Sequence, residues 1–153
     1  LQEINIVELV MDTTNYLTSR LPEKIQFNIL HEESRIIIPV SVVLLNWVIE
    51  NICTNAADAM KGKGKITISI TEDVSKVILN ITDHGEGIDK SILKNIFKPG
   101  VTSKKRGWGL GLSLSKRIVE EYHKGRIFVI KSEKGVGTTF CIYLPKNLNS
   151  TTS

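Results

Sequence analysis

The sequence predicts an α+β two-layer sandwich, in which a mixed, largely antiparallel sheet of about five strands is covered on one face by about three helices. Helical and strand-like runs do not alternate one for one along the chain, which argues against a doubly wound parallel sheet. With 153 residues, of which 41% are hydrophobic, the chain can bury a core without disulfides or metals. We therefore expect one domain over residues 1–146, followed by a disordered polar tail over residues 147–153.

Apolar residues recur at helical spacing in several segments. A short extended start and a helix occupy residues 1–21, and Pro22 ends the pattern. A long helix should run from about Ser41 to Met60, with Ser41 as its N-cap. A second long helix is expected from about Leu110 to Tyr122, and a short one near residues 90–96.

Six segments have the alternation or the β-branched content of strands. The clearest two are KITISIT and KVILNITD, which read as the arms of a hairpin. In the last strand Thr138 shares a face with Phe140 and Leu144, so its side chain should point into the core. The six segments are residues 25–30, 35–39, 65–71, 76–83, 126–131 and 138–144.

Charge is concentrated in one segment. Twenty basic and 16 acidic residues give a net charge of +4, which is too small to predict nucleic-acid binding, so no nucleic-acid partner is expected. Lys98, Lys104, Lys105 and Arg106 lie between two of the motifs described below. Such a cluster is either a solvated loop or, beside other phosphate-binding features, a segment that holds a polyanion.

The cysteines and the hydropathy pattern indicate a cytoplasmic location. Cys53 and Cys141 lie inside apolar runs without metal-ligand spacing, so both should be buried and free. No apolar run approaches the roughly 20 residues that span a bilayer, and no signal peptide is recognisable. This domain should therefore make no membrane contact itself, and any anchor of a longer parent protein would lie outside it.

Five short segments together predict a nucleotide-binding site, although each alone is compatible with a structural role. They are residues 51–59 (NICTNAADA), 83–87 (DHGEG), 97–99 (FKP), 107–112 (GWGLGL) and 135–139 (GVGTT).

The first segment places three polar residues at the edge of the long helix. At about 100° per residue, Asn51, Asn55 and Asp58 lie together at the border of the apolar arc. A single asparagine there could cap a neighbouring loop, but two at i and i+4 favour a shared ligand. Amide oxygens suit Mg²⁺, which keeps several waters and takes further ligands from phosphates. The expected arc consists of Leu44, Val48, Ile52 and Ala59.

The second segment places a carboxylate at a strand end. Asp83 could accept a hydrogen bond from an exocyclic amine such as adenine N6, while Gly85 and Gly87 let a flat ring approach the backbone. The alternative is an ordinary Asx-type turn with permissive glycines. His84 should be exposed, and we assign it no role.

The fourth and fifth segments complete the pattern. Gly107, Gly109 and Gly111 precede a helix, whose free N–H groups would face phosphate oxygens. Neither the GxGxxG nor the GxxxxGK[ST] fingerprint is present, which disfavours both familiar nucleotide folds. Trp108 should be a packing residue. The Thr138 hydroxyl could reach a base directly or through water.

With these segments in order, the chain resembles the catalytic, ATP-binding domain of bacterial sensor histidine kinases. That superfamily also contains DNA gyrase, MutL and the large heat-shock chaperones. The likeness covers nearly the whole chain, and the stretch from Gly107 to Pro145 is more similar to sensor kinases than to their relatives. The resemblance implies the Bergerat fold, with Mg²⁺ and ATP as cofactors.

The resemblance also implies a role for each matching position. Asn55 would coordinate Mg²⁺, with Asn51 as its partner, and Asp83 would hold the adenine amino group. Phe97 and residues 98–106 would form a mobile lid, with Lys104 or Lys105 contacting phosphate. The catalytic set would be Asn51, Asn55 and Lys104. The remaining nucleotide contacts would come from Asp58, Gly85, Gly87, Ile88, Gly107, Gly109, Leu110, Gly111, Leu112 and Thr138.

Two departures bear on function. Many sensor kinases have Lys or Arg where this chain has Asp58, so one phosphate contact is missing or supplied elsewhere. The hydrolysing relatives have a glutamate base where this chain has Asn51, and an amide cannot take a proton from water. Glu50 is about 100° away around the helix. The resemblance therefore implies phosphoryl transfer to a protein rather than efficient ATP hydrolysis.

The phosphoacceptor is expected to be outside the chain. His31 followed by Glu32 is the sole local match to an acceptor motif, but it lacks helical periodicity. The implied partners are the histidine-bearing dimerisation domain of the parent kinase and a downstream response regulator. The alternatives are a conformational ATPase of the gyrase, MutL or chaperone kind, an anti-sigma-type serine kinase, and a degenerate module that binds without turnover.

Overall fold

The computed structural model describes residues 1–99 and 111–147. The elements, in chain order, are β1 (Gln2–Asn5), α1 (Ile6–Thr18), β2 (Ile25–His31), β3 (Ile37–Val40), α2 (Val42–Ala59), β4 (Gly64–Glu72), β5 (Lys76–Asp83), α3 (Lys90–Leu93), α4 (Gly111–Lys116), a π-helical continuation of α4 (Arg117–Tyr122), β6 (Arg126–Glu133) and β7 (Gly137–Pro145).

Five strands form the main sheet, in the order β2-β4-β5-β7-β6. Strands β2 and β4 run parallel, and every other neighbouring pair is antiparallel. This confirms the predicted α+β fold with a mixed, largely antiparallel sheet. The expected hairpin is also confirmed, because β4 and β5 are consecutive antiparallel neighbours.

The strand segment predicted at residues 35–39 does not join this sheet. It forms β3, which pairs with β1 in a separate two-stranded ribbon where Pro39 faces Glu3. Proline has no N–H to donate to a ladder, so it is disfavoured in the middle of a sheet. The ribbon holds the chain just before α1 and α2 begin.

The core lies between the main sheet and the helices. In β5 the residues Val77, Leu79, Ile81 and Asp83 are buried, while their alternates are partly exposed. The predicted apolar arc of α2 was partly wrong, because Leu44 and Ala59 are only half-buried. Helix α2 contacts α1 and α4 as well as strands β4 and β5. Its buried face is therefore wider than the predicted arc and is rotated around the helix axis relative to it. That face contains Leu45, Val48, Ile49, Ile52, Cys53, Ala56 and Ala57.

Several local predictions are confirmed. Ser41 is the N-cap of α2, and its side chain accepts a hydrogen bond from Leu44 N. Cys53 and Cys141 are buried and free.

Helix α3 is shorter than predicted, since it ends at Leu93 and is followed by turns. In the part of the chain that the structure describes, none of the helices is both long and apolar enough to cross a membrane.

Candidate nucleotide-binding site

The carboxamide of Asn51 is buried between α2 and α4. The side chain of Asn51 is 6% exposed, and its Nδ2 donates to Ser115 Oγ at 3.2 Å. Asn55 and Asp58, one and two turns further along α2, are half-buried. The predicted cluster of three polar residues therefore exists at the edge of the core, with Asn51 as its most enclosed member.

Gly111 makes room for this carboxamide at the start of α4. A Cβ atom at position 111 would lie 2.7 Å from Asn51 Oδ1 and 2.9 Å from Nδ2. Any side chain there would displace the amide, because those distances are too short for non-bonded contact. The last glycine of the GWGLGL segment is thus needed to seat Asn51, in addition to the phosphate role predicted for it.

Asp83 and Thr138 meet at the end of two adjacent strands. Their Cα atoms are register partners in the β5–β7 ladder, and they are 6% and 5% exposed. The Oδ1 atom of Asp83 accepts a hydrogen bond from Gly85 N at 2.8 Å. The Asx-type turn, weighed as the alternative reading, is therefore present, and it fixes the orientation of the carboxylate.

The DHGEG loop is wedged between the end of α2 and the turn that joins β6 to β7. A Cβ at Gly85 would lie 2.7 Å from the Ala59 carbonyl oxygen, while Glu86 N donates to that same oxygen at 3.1 Å. Gly87 has a φ of +77° and lies against the backbone of Glu133. Both glycines are required by close backbone contacts, and His84 is exposed as predicted.

A chain of hydroxyl groups extends the site to β6. Ile88 N donates to Ser132 Oγ at 2.9 Å, and Ser132 Oγ lies 2.9 Å from Thr138 Oγ1. The sequence prediction missed Ser132. No local signal pointed to Ser132, because the predicted strand ends at residue 131 and a register shift between Val129 and Lys131 makes Ser132 the partner of Thr138.

Phe97 and Leu112 pack against the core rather than standing free in solvent. The Phe97 ring meets Phe140 edge-on, with 6.2 Å between centroids, and Lys116 Nζ lies 5.8 Å from the Phe97 centroid. Leu112 is partly buried against the same core. Phe97 is thus an anchor at the start of the predicted lid. The predictions for Lys104, Lys105, Gly107, Trp108, Gly109 and Leu110 lie outside the described residues.

A buried histidine that the sequence prediction did not single out fixes the other end of the α4 helix. His123 is 2% exposed, and its Nε2 accepts from Ser41 N at 3.0 Å. Its Nδ1 lies 2.9 Å from the Ile118 carbonyl oxygen, which can only accept, so Nδ1 carries the proton. Burial lowers the pKa of His123, and the ring is therefore held neutral.

The donor set fits a magnesium nucleotide. Within residues 1–99 and 111–147, no three His, Cys, Asp or Glu side chains converge as a metal site. The candidate ligands are instead neutral carboxamides on α2, which suit a cation that takes its other ligands from phosphate and water. The carboxylate of Asp83 and the hydroxyl of Thr138 suit the amino edge of a purine.

Comparison with known proteins shows the family of the chain. Residues 41–148 match the family described as "Histidine kinase-, DNA gyrase B-, and HSP90-like ATPase". Sporulation kinase D of Bacillus subtilis is 44% identical over 101 residues, which is 66% of this chain and 20% of that protein. The signal transduction histidine-protein kinase AtoS of Escherichia coli is 45% identical over 105 residues, 68% of this chain and 17% of that protein. The chain thus spans about a fifth of the length of these relatives.

Solved structures agree as well. The nucleotide-free catalytic domain of the histidine kinase ThkA is 26% identical, has a TM-score of 0.86 and covers 95% of both chains. ThkA in complex with the response regulator protein TrrA is 25% identical with a TM-score of 0.81, over 95% of this chain and 41% of that one. This chain belongs to the histidine kinase-, DNA gyrase B- and HSP90-like ATPase family, as an ATP-binding domain of the sensor histidine kinase type.

Proposed function

We propose that this domain binds Mg²⁺-ATP and presents the γ-phosphate to a histidine on a separate dimerisation domain of its parent kinase. The observation that carries the proposal is the buried pair of Asp83 and Thr138, which lies at the strand ends beside a loop of required glycines. A response regulator would be the partner in the next step, since the related histidine kinase ThkA forms a complex with the response regulator protein TrrA.

Asp83 would recognise the base. A carboxylate has about four acceptor positions, and the bond from Gly85 N at 2.8 Å orients the group. An adenine N6 amine is a donor and matches this acceptor, whereas the carbonyl oxygen of guanine would face it with like polarity. The Thr138 hydroxyl, already joined to Ser132, can accept or donate at the neighbouring ring position.

Asn51 and Asn55 would hold the cation and the phosphates. Bound Mg²⁺ would neutralise charge on the phosphate oxygens, as it does in phosphoryl-transfer enzymes. The two carboxamides contribute neutral oxygens one helical turn apart, so they orient the ion without adding charge. Lys104 or Lys105 would contact phosphate, as the resemblance implies, and supply positive charge to it.

The chemistry of Asn51 favours transfer over hydrolysis. An amide cannot act as a general base toward water, whereas a neutral histidine imidazole is itself a nucleophile and needs less help. An ATPase that drives conformational change, the second candidate, would need a base at this buried position. An anti-sigma-type serine kinase would differ in the acceptor that the domain meets.

The base assignment is tested by calorimetric titration of ADP into the domain and into Asp83→Asn. The asparagine keeps an oxygen for Gly85 N but turns an NH₂ group toward the adenine amine. Losing a charged hydrogen bond costs about 1.5–3 kcal/mol, so affinity should fall about 10- to 150-fold. His84→Ala, at an exposed neighbouring position, is the matched control and should bind normally. An Asp83→Asn affinity equal to that of the control would remove the adenine assignment.

The reaction is tested by mixing the domain and ATP with a separately prepared dimerisation hairpin. Acid-labile phosphate on the hairpin supports histidine phosphorylation. Rapid release of free phosphate without it would favour the ATPase alternative, and acid-stable phosphate on a serine would favour the serine kinase.

A further inference from the structure

We propose that Ser115 is a positioning residue that fixes which atom of the Asn51 carboxamide faces the phosphate end of the site. The inference rests on the proposed function, since it concerns the cation and phosphate side of that site. Ser115 is fully buried, is 64 residues away from Asn51 in sequence and belongs to none of the five motif segments.

The hydrogen bonds of Ser115 decide the orientation of the amide. Its Oγ donates to the Gly111 carbonyl oxygen at 2.8 Å, and a carbonyl cannot donate in return. A serine hydroxyl has one proton, so toward Asn51 it can only accept. The group that faces Ser115 must therefore be the Asn51 Nδ2, as the 3.2 Å contact has it. The oxygen then occupies the opposite edge of the planar carboxamide, away from Ser115.

That orientation matters for a cation. Metal ions of the magnesium type bind amide oxygens and not amide nitrogens. A flipped Asn51 would turn two N–H donors toward the same place and repel the ion. Ser115 thus selects the cation-binding orientation of a carboxamide whose oxygen atom and NH₂ group are nearly equal in size.

Burial makes the selection effective. Asn51 is 6% exposed and Ser115 is 0% exposed, so bulk water does not compete strongly for Nδ2. Gly111 closes the arrangement, because it leaves just enough space for the flat carboxamide over the first turn of α4. Without the serine hydroxyl, the observed amide orientation no longer has a hydrogen bond that the flipped orientation lacks.

The first test needs no nucleotide. Side-chain amide signals of Asn51 are followed by ¹⁵N NMR, with hydrogen exchange as the readout, in the unsubstituted domain and in Ser115→Ala. We expect exchange of the Asn51 Nδ2 protons to quicken at least about tenfold in Ser115→Ala and to be restored in Ser115→Thr, which keeps the hydroxyl. Unchanged exchange in Ser115→Ala would overturn the proposal.

Thr54→Ala is the matched control. The Thr54 hydroxyl donates to the Glu50 carbonyl oxygen at 2.7 Å. Ser115 makes the same kind of bond, from its side chain to the backbone carbonyl four residues earlier, at Gly111. Removal of the Thr54 hydroxyl tests the loss of such a bond in a helix without touching Asn51. Exchange in this variant should equal that of the unsubstituted domain, and an equal rise in both variants would overturn the specific role of Ser115.

The second test measures ADP affinity by calorimetry with and without Mg²⁺. In Ser115→Ala the gain in affinity from Mg²⁺ should shrink about tenfold, while affinity without Mg²⁺ stays constant because the base pocket is intact. If Mg²⁺ raises the ADP affinity of Ser115→Ala as much as that of the unsubstituted domain, the positioning role of Ser115 is overturned, but the proposed function is not. If Mg²⁺ does not raise the ADP affinity of the unsubstituted domain at all, the cation site of the proposed function is overturned instead. The exchange measurement, which needs no Mg²⁺, would still test the hydrogen bond between Ser115 and Asn51.

Discussion

Replacement of His123 by glutamine tests the packing of the helical layer through its pH dependence. His123 Nε2 accepts from Ser41 N at 3.0 Å, and Nδ1 donates to the Ile118 carbonyl at 2.9 Å. A proton added at Nε2 would turn a donor toward the N–H of Ser41. Protonation therefore breaks the bond between the end of the α4 helix and the start of α2.

The sign of the effect follows from the lowered pKa. Burial depresses the pKa of His123 below its ordinary value of 6.5 in the folded chain. Below about pH 6.5 the unfolded chain consequently binds more protons than the folded chain. The free energy of unfolding should therefore fall as pH decreases through this range, by at most about 1.4 kcal/mol per pH unit. Above about pH 7 this contribution should be constant.

The assay is urea unfolding between about pH 5 and pH 8 for the domain and for His123→Gln. The variant should lose about 1–3 kcal/mol at neutral pH, because glutamine does not reproduce both hydrogen bonds of the rigid ring, each of which contributes about 0.5–1.5 kcal/mol. The difference between the two proteins should then shrink as pH falls, since glutamine does not titrate. His31→Gln, at an exposed position, is the control. A difference that stays constant over the whole range would refute the neutral, buried histidine.

Two further predictions concern a turn and the thiols. Gly137 has a φ of +144°, and a Cβ there would collide with the Asp83 carbonyl, whereas a Cβ at Gly135, with a φ of +83°, meets nothing within 4 Å. Gly137→Ala should therefore destabilise the domain by about 1–3 kcal/mol more than Gly135→Ala in urea unfolding, and equal losses would contradict the collision. Burial raises the pKa of Cys53 to about 12 and that of Cys141 to about 11. Because the thiolate is the reactive form, alkylation followed by mass spectrometry should be at least about 100-fold slower in the folded domain than in guanidinium, and rapid native labelling would contradict their burial.

The positions of Asp83 and Thr138, the candidate base contacts, could be predicted in part because both residues lie at the ends of regular strands. Asp83 ends a clear alternating run, and Thr138 begins another. Once the strands β5 and β7 pair, register alone brings them together. The same logic does not reach Ser132, because the predicted strand ends at residue 131 and a register shift between Val129 and Lys131 sets the pairing of Ser132 with Thr138. Local pattern places both Asp83 and Thr138 at strand ends, but it does not contain the pairing of β5 with β7, which are not consecutive in the chain.

The helical side could be predicted only in part. The periodicity of apolar residues placed Asn51 at the border of the apolar face of α2, but it could not show that Ser115 is the hydrogen-bond partner of Asn51. That contact joins residues 64 apart, and the bond of His123 to Ser41 joins residues 82 apart. Both depend on how two helices cross, and the spacing of apolar residues within one helix does not contain that information.

The π-helical stretch explains how one helix presents both residues to α2. Ser115 and His123 are eight residues apart, which in a regular α-helix would leave them about 80° apart around the axis. Residues Arg117–Tyr122 are π-helical, and His123 N donates five residues back, to Ile118 O, at 3.1 Å. The wider turn uses fewer degrees per residue, so it reduces this angle and brings both side chains toward the same face.

That geometry gives α2 two polar attachments to the neighbouring helix. Ser41 and Asn51 are ten residues apart, about 15 Å along α2, and their partners His123 and Ser115 follow in the opposite order. A rotation of α4 and its π-helical continuation about their axis would break one or both of these bonds. The first turn of α4, which begins at Gly111, and the carboxamides of α2 should therefore keep their relative position when a ligand binds. The part of the proposed cation site that α2 and the first turn of α4 form would in this sense be built before a nucleotide binds, and the cost of ordering that part would be borne during folding rather than during binding.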